Sequence, residues 1–439
     1  MRLTVIGCGY LGATHAACMA ELGHEVLGVD ADMDKVATLN SGEAPFFERG
    51  LDALLVKHTE SDRLRFTASY AEAAAFGDLH FIGVGTPQNA GDNAYDLTQL
   101  FTAVRQLAPH LTAPAVVVVK STVPVGTAPR VAELLRDLAP VGEEIELAWN
   151  PEFLRESFAV DDTLHPDRIV LGFNAHHTWA EKMLRQCFGE IIEAGTPTIV
   201  TDWATAELVK SSANAFLATK ISFINAMAEV CEASGADVHQ LAEALGHDTR
   251  IGRRGLGPGL GFGGGCLPKD IRGFMACAGE LGADQALTFL REVDAINTRR
   301  RERMADLARE QCGGSPKSKR ITIWGAAFKP GTDDVRDSPA LAVAQKLHKL
   351  GARVTVTDPE ALDNARKAHP ELDYVEDPVA AAADADLLLH LTEWPQFDDI
   401  DPGRLATCVR TAKVIDGRGT LDPDRWREAG WTVRVLGRP

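Results

Sequence analysis

No apolar run in this chain of 439 residues approaches the roughly 18 residues that a membrane-crossing helix needs, so no membrane association is expected. Positive charge is scarce as well. Lys and Arg number 45 against 62 Asp and Glu, a formal net charge of −17. That balance opposes non-specific binding to nucleic acid or to an anionic membrane surface, and an anionic ligand would need a local cluster of basic side chains. The eight cysteines include no CxxC pair and no disulfide-like spacing. None stands in metal-ligand spacing, so no metal is expected. Most of the thiols are expected to be small buried hydrophobes of a reduced protein. The opening residues, MRLTVIGCGY, enter a strand-like run without the basic start, long apolar stretch and small-residue cleavage site of a leader. These features together predict a cytoplasmic enzyme.

The length suits two or three domains, and 45% apolar residues suffice for ordinary cores. The first segment, RLTVIGCGYLGATHAACMAELGHEVLGVD, carries Gly7-x-Gly9-x-x-Gly12 between a β-branched run and an alanine-rich helical one. A second strand-like run ends in Asp30. In such a unit the first glycine permits a tight turn. The second lets a pyrophosphate approach the backbone at a helix N-terminus, and the third allows the helix to pack closely on the strand. Asp30 suits the hydroxyls of an adenosine ribose and would repel a 2′-phosphate, which favours NAD over NADP. Further buried strands are expected in DLHFIGVGTP, PAVVVVKSTVPVGT and EIELAWNPEF. Polar residues follow each of them, at the edge where open parallel sheets bind ligands. Thr122 and Glu152 are candidates on that ground, although Thr122 equally suits a helix cap and Glu152 an exposed loop acid.

From Asp202 to about Gly235 the apolar residues recur at helical spacing, with Asp202 as the expected cap and Gly235 as the stop. A helix of thirty-odd residues either joins domains or forms a dimer interface. Lys210 and Asn214 share one of its faces, as a cation beside an amide on a mostly apolar face or as a surface lysine with its solvated neighbour. Then comes GFGGGCLPKD, where four glycines within five positions precede Cys266. Glycine density excludes a regular helix or central strand there and brings the backbone close to something. Lys269, if near, would favour the thiolate. The residues alone leave Cys266 as either a catalytic thiol or an inert one. After the polar stretch SPKSK the opening pattern returns: RITIWGAAF resembles RLTVIGCGY, and ARVTVTD ends in Asp358 as HEVLGVD ends in Asp30. Its first loop lacks GxGxxG but carries Lys329 and Arg336, cations that suit a phosphate-bearing ligand and equally a solvated charged loop. Arg418 follows the closing strand near the same edge. The chain therefore reads as α/β, with two doubly wound Rossmann-like domains joined by a long central helix. The expected boundaries are 1–200 for the NAD-binding domain, 201–314 for a central helical dimerisation domain with the cysteine loop, and 315–439 for the last domain.

In this order GCGYLG, GVGTP, KSTVPVGT, NPEFLRES, ELVKSSANAF, GFGGGCLPKD and GAAFKPGTDDVRDSP resemble the UDP-glucose/GDP-mannose dehydrogenase family over nearly the whole chain. NPEFLRES, DTRIG and the cysteine loop look most like members that act on UDP-glucose. The resemblance implies a four-electron oxidation of a sugar C6 alcohol to a carboxylate, with two NAD reduced. Cys266 would trap the aldehyde as a thiohemiacetal and then carry a thioester. Lys210 and Asn214 match positions that stabilise oxyanions. Asp270 matches a proton-handling residue, and Glu152 and Thr122 match groups in acid–base chemistry and water placement. For the cofactor the resemblance implies Gly7, Gly9, Tyr10, Leu11, Gly12, Asp30, Lys35, Thr86, Thr122, Glu156, Lys269 and Arg336. For the UDP-sugar it implies Glu152, Phe153, Leu154, Arg155, Lys210, Asn214, Arg250, Gly255, Leu256, Gly257, Pro258, Gly259, Gly263 and Lys329. The length of the central helix, with an apolar stripe that needs a partner, separately predicts a homodimer through that helix. Ser157 stands where the family often has glycine, and Gly265 and Leu267 flank Cys266 where bulkier residues are frequent. The glycines of the loop are expected to clear the way for a substrate to reach the thiol.

Overall fold

A computed structural model describes residues 1–89, 91–174 and 179–438. The chain separates into two compact units: Met1–Ala213 with Gly279–Leu281, and Asn214–Ala278 with Gly282–Pro439. Among the described residues no helix is long and apolar enough to cross a membrane.

The first unit is built on eight strands: β1 (Arg2–Ile6), β2 (Glu25–Val29), β3 (Leu64–Thr67), β4 (Leu79–Ile82), β5 (Ala115–Val119), β6 (Ile145–Trp149), β7 (Ile169–Phe173) and β8 (Thr198–Asp202). Their order is β3-β2-β1-β4-β5-β6-β7-β8. The chain doubles back between β1 and β4, the switch point at which such sheets bind dinucleotides. Helix α1 (Tyr10–Glu21) follows β1, and α2 (Thr127–Leu138) follows β5. The strand AVVVV shows why it lies at the centre. Val116 and Val118 enter the core on one face of the sheet, and Val117 and Val119 enter the core on the other. A strand buried on both faces has to be apolar throughout.

One feature departs from the expected parallel sheet. β7 pairs antiparallel with β6, through Ala148 with Phe173 and Trp149 with Gly172. β8 then runs parallel to β7. Apolar runs read alike whichever way a neighbour points, so composition gives no signal for the reversal. Gly172 is needed where it stands, because a Cβ there would press on Ala206 and on the Asp202 carbonyl.

Buried histidines give this unit a pH dependence. His80 on β4 is fully buried and meets Thr4 Oγ1 at 2.7 Å. Burial pushes its imidazole down from 6.5 to about 4. The unfolded chain then takes up a proton that the folded chain refuses, so stability falls as pH drops through that window. The loss is at most roughly 3 kcal/mol from this residue. Urea titrations from pH 7 to pH 4 should show the fall, and His80→Phe should make it shallower, with buried His15 and His24, also pushed down by burial, keeping part of it. An unchanged slope in that variant would assign the dependence elsewhere.

Helix α3 (Trp203–Ser234) begins directly after β8. Asp202 caps it, its carboxylate accepting from Thr205 N at 2.8 Å and Thr205 Oγ1 at 2.9 Å. It stops at Gly235, which takes φ +78°. Both limits match the sequence expectation.

The second unit contains all but the last two residues of α4 (Leu267–Glu280), α5 (Phe289–Gln311) and six strands: β9 (Arg320–Trp324), β10 (Arg353–Thr357), β11 (Asp373–Tyr374), β12 (Leu387–His390), β13 (Lys413–Asp416) and β14 (Thr432–Val435). The order β11-β10-β9-β12-β13-β14 repeats that of the first six strands, and all the pairs are parallel. Asp358 ends β10 as Asp30 ends β2, but it is buried. It accepts from Ala326 N at 2.7 Å, Ala327 N at 3.0 Å and Trp394 Nε1 at 3.0 Å. Its carboxylate is spent on folding the loop after β9.

Candidate active site

In the first unit the glycine turn follows β1. Gly7 takes φ +90° and lies against Val84, so a side chain there would be strained and crowded. A Cβ on Gly12 would collide with the Gly7 carbonyl, which is the close helix–strand contact expected of the third glycine. A Cβ on Gly9 would meet no protein atom within 4 Å, so glycine there serves no internal packing. Gly9 also stands at the N-cap of α1, where backbone N–H groups face outward. Tyr10 stacks on Phe46 at 4.0 Å and donates its hydroxyl to Phe47 O. Asp30 lies beside this turn, its carboxylate accepting from Cys8 N at 2.9 Å and Lys35 Nζ at 3.1 Å. Thr86 donates to Thr122 O at 2.6 Å, tying together the loops after β4 and β5. These groups fit a bound dinucleotide: a glycine turn at a helix N-terminus, with an anchored carboxylate at the end of the neighbouring strand.

Glu152 follows β6 and forms an ion pair with Lys210 of α3 at 2.9 Å, their side chains only 13% and 6% exposed. Its other oxygen accepts from Leu154 N at 2.7 Å. The Lys210 ammonium also lies 5.9 Å above the Phe153 ring. Lys210 is thus not a surface lysine. Two buried contacts that sequence reasoning missed support this region. Lys120 donates to Asn150 Oδ1 at 2.7 Å, bridging the ends of β5 and β6. Burial pushes its ammonium down to about 8. Glu207, one turn before Lys210, accepts from Gly126 N at 2.8 Å and Ala128 N at 2.6 Å at the start of α2. Burial pushes that carboxyl above its ordinary value in spite of these donors. Arg155 is exposed and paired with Asp162. Glu156 is half-buried on the same loop.

Ser157 takes φ +75°, the left-handed region, while its N–H donates to buried Glu48 at 2.7 Å. That conformation favours glycine. Ser157→Gly should raise stability by up to about 1 kcal/mol, read by urea unfolding. A loss would mean that the serine hydroxyl outweighs the strain.

In the second unit Cys266 is exposed at the N-terminal end of α4, and Asp270 N donates to its carbonyl at 2.8 Å. Asp270, one turn on, is 1% exposed. Its carboxylate accepts from Asn214 Nδ2 at 2.6 Å and from Lys269 Nζ at 2.6 Å. The structure thus brings together Asn214, Lys269 and Asp270, with the thiol on the same helical face as Asp270.

The loop glycines have a different reason from the one expected. Gly263, Gly264 and Gly265 lie against Asp337 and Pro339, the Phe328 ring and the Arg336 guanidinium, each too close for a Cβ. Gly264 N donates to Arg336 O at 2.9 Å. The glycines let the cysteine loop seat on the loop that follows β9. A larger residue at Gly265 would displace Arg336, which forms a fork with Asp334 at 2.7 Å and 3.0 Å. Lys329 is half-buried, its ammonium 5.5 Å from the Phe328 ring. Leu256 is buried. Gly255 takes φ +82°, and a Cβ on Gly257 would meet nothing within 4 Å. Arg250 lies on the surface, its side chain 87% exposed and paired with Asp248. Lys220 organises the neighbouring turn by donating to the carbonyls of Ile251, Gly252 and Arg254. Arg418 joins three loops, donating to Leu391 O at 2.7 Å, Phe328 O at 3.3 Å and Gly261 O at 3.5 Å.

Two doubly wound domains, one with a complete dinucleotide fingerprint, and an exposed thiol beside a buried Asn–Asp–Lys cluster define an NAD-dependent dehydrogenase. Three family models match the chain: the NAD binding domain over 1–192, the central domain over 204–299 and the UDP binding domain over 322–423 of the UDP-glucose/GDP-mannose dehydrogenases. The chain belongs to the UDP-glucose/GDP-mannose dehydrogenase family, and NAD is its cofactor. It is 40% identical over 439 residues, all of both chains, to the UDP-glucose 6-dehydrogenase of Rhizobium meliloti (strain 1021). It is 42% identical over 428 residues to the UDP-glucose 6-dehydrogenase AglM of Haloferax volcanii, covering 95% of this chain and 96% of the relative. A UDP-glucose dehydrogenase structure from Pyrobaculum islandicum superposes with a TM-score of 0.91 at 37% identity, covering 100% and 98% of the two chains. A UDP-D-ManNAc dehydrogenase structure from Pyrococcus horikoshii gives 0.87 at 26% identity, covering 100% and 99%.

Proposed function

We propose that this enzyme oxidises UDP-glucose at C6 to UDP-glucuronate through a covalent intermediate on Cys266. The observation that carries the chemistry is the exposed thiol one turn from the buried Asp270, whose carboxylate holds Asn214 and Lys269. NAD supplies the hydride acceptor that no side chain offers. Loss of one hydride and one proton from the C6 alcohol gives an aldehyde. The Cys266 thiolate adds to the aldehyde carbon as a thiohemiacetal, loss of a second hydride gives a thioester, and water hydrolyses it to the carboxylate and the free thiol. Each sugar therefore yields two NADH and consumes one water. Lys210 and Asn214, one turn apart on α3, stabilise the oxyanions of these steps. Asp270, Glu152 and Thr122 handle protons and water. The glycine turn, Asp30, Lys35, Thr86, Glu156, Lys269 and Arg336 hold the cofactor. The 152–155 run, Arg250, the 255–259 loop, Gly263 and Lys329 hold the UDP-sugar, and Arg418 joins them.

The choice of sugar is supported by the full-length likeness to proteins named for UDP-glucose. The structural likeness to a UDP-D-ManNAc dehydrogenase supports a second reading, the same chemistry on a UDP-N-acetylhexosamine, and the family description admits GDP-mannose as well. A panel of these sugar nucleotides at equal concentration separates the two. UDP-glucose is expected to turn over fastest, and faster turnover of another substrate overturns the choice.

The same reading divides the chain at 1–200, 201–314 and 315–439, and it makes the enzyme a cytoplasmic homodimer. Phe216, Phe223 and Val230 recur every seven residues along α3 and are 70%, 48% and 56% exposed, an apolar stripe suited to a second copy. Light scattering should report a dimer, and Phe223→Glu should weaken it.

A further inference from the structure

The loop that leads to Cys266 is gripped by its backbone. Asn297 of α5, 1% exposed, takes both polar groups of Phe262: its Oδ1 accepts from Phe262 N at 2.8 Å, and its Nδ2 donates to Phe262 O at 3.0 Å. Arg301, one turn on, donates a second time to Phe262 O at 3.0 Å and pairs with Asp337 at 2.6 Å. Three residues earlier in the loop Gly259 is held the same way. Its N–H donates to Asn225 Oδ1 at 2.9 Å, and its carbonyl accepts from Arg300 Nε at 3.2 Å. Asn225 and Arg300 are fully buried. Gly261 takes φ +90° and has no room for a Cβ, which would collide with Asn297 Oδ1. The Phe262 ring packs with Ile271 of α4 and with Leu290 and Val293 of α5. Arg272 of α4 pairs with Asp294 of α5 at 3.0 Å.

We infer that Asn297 is a positioning residue for Cys266: its two-point hold on the Phe262 peptide fixes the end of the glycine loop from which α4 and the thiol start. This rests on the reading of Cys266 as the nucleophile. A buried amide that satisfies an N–H and a C=O together sets the orientation of a peptide plane, and the glycines that follow have no side chains with which to set it. A small error in placing a nucleophile costs far more rate than binding. A displaced thiol captures the aldehyde less often, so some of it escapes after one oxidation.

The test is the yield of NADH per UDP-glucose consumed, with escaped aldehyde captured by semicarbazide. Asn297→Asp keeps the size and the bond to Phe262 N, and it sets a carboxylate against the Phe262 carbonyl. The variant is expected to lose about 10- to 100-fold in kcat with KM for UDP-glucose within about threefold. Its yield should fall clearly below two, with trapped aldehyde making up the difference. Loss of folded protein alone would lower the rate and leave the yield at two. Arg301→Leu, on the less buried side of the grip, should lower the yield in the same direction by less, and it carries the test should Asn297→Asp not fold. A wild-type yield of two with the folded variants also at two overturns the inference. A wild-type yield of one instead overturns the covalent reading on which it rests.

Discussion

Cys266→Ala is expected to abolish the second oxidation and to cut overall turnover by about 10³-fold or more. The side chain is exposed and contributes little core, so the variant should fold as the parent does. The first hydride transfer needs no thiol. A single-turnover experiment with enzyme in excess should therefore still give up to one NADH per UDP-glucose, slowly, with free aldehyde. Cys266→Ser separates nucleophile from size: it keeps the shape, but a hydroxyl is far less nucleophilic, and its loss should be comparable. Five of the other thiols are closed to substrate. Cys8, Cys18, Cys187, Cys231 and Cys277 are buried, and burial pushes the Cys18 and Cys187 thiols up to about 12. Retention of parental turnover by Cys266→Ala would remove the covalent step from the mechanism.

The second large effect is expected at Lys210. Its ammonium is the cation paired with Glu152 at 2.9 Å, and both side chains are largely buried. Lys210→Met keeps the apolar stem and removes the charge. Turnover should fall by about 10²–10³-fold, the usual cost of losing one oxyanion-stabilising group. Stability should fall too, because Glu152 keeps its burial and loses its counter-charge. Adding Glu152→Gln should restore much of the stability, since the uncompensated carboxylate is then gone, and none of the activity. Recovery of activity in the double variant would make the pair structural rather than chemical.

Parts of this molecule are legible from local pattern alone. Gly7, Gly9, Gly12 and Asp30 identify the dinucleotide unit because each answers a short-range demand of the turn. Asp202 and Gly235 bound α3 because capping is a matter of a few neighbouring residues. The repeat of the first domain in the last is likewise visible in two short strand–loop pairs. What was not legible depends on contacts distant in sequence. The reversal at β7 leaves no mark in a run of apolar residues. The burial of Lys210 depends on Glu152, and that of Lys120 on Asn150. Asn297 looks like an ordinary polar residue in a charged helix until the loop is seen against it. The glycines before Cys266 stand out by their density, but their reason lies in Phe328, Arg336, Asp337 and Asn297, which the local sequence does not show.

The most direct test of the account is the NADH yield of the purified enzyme. Limiting UDP-glucose with excess NAD, taken to completion with semicarbazide present, should give two NADH per sugar and no trapped aldehyde. A yield of one, matched by an equal amount of trapped aldehyde, would contradict it.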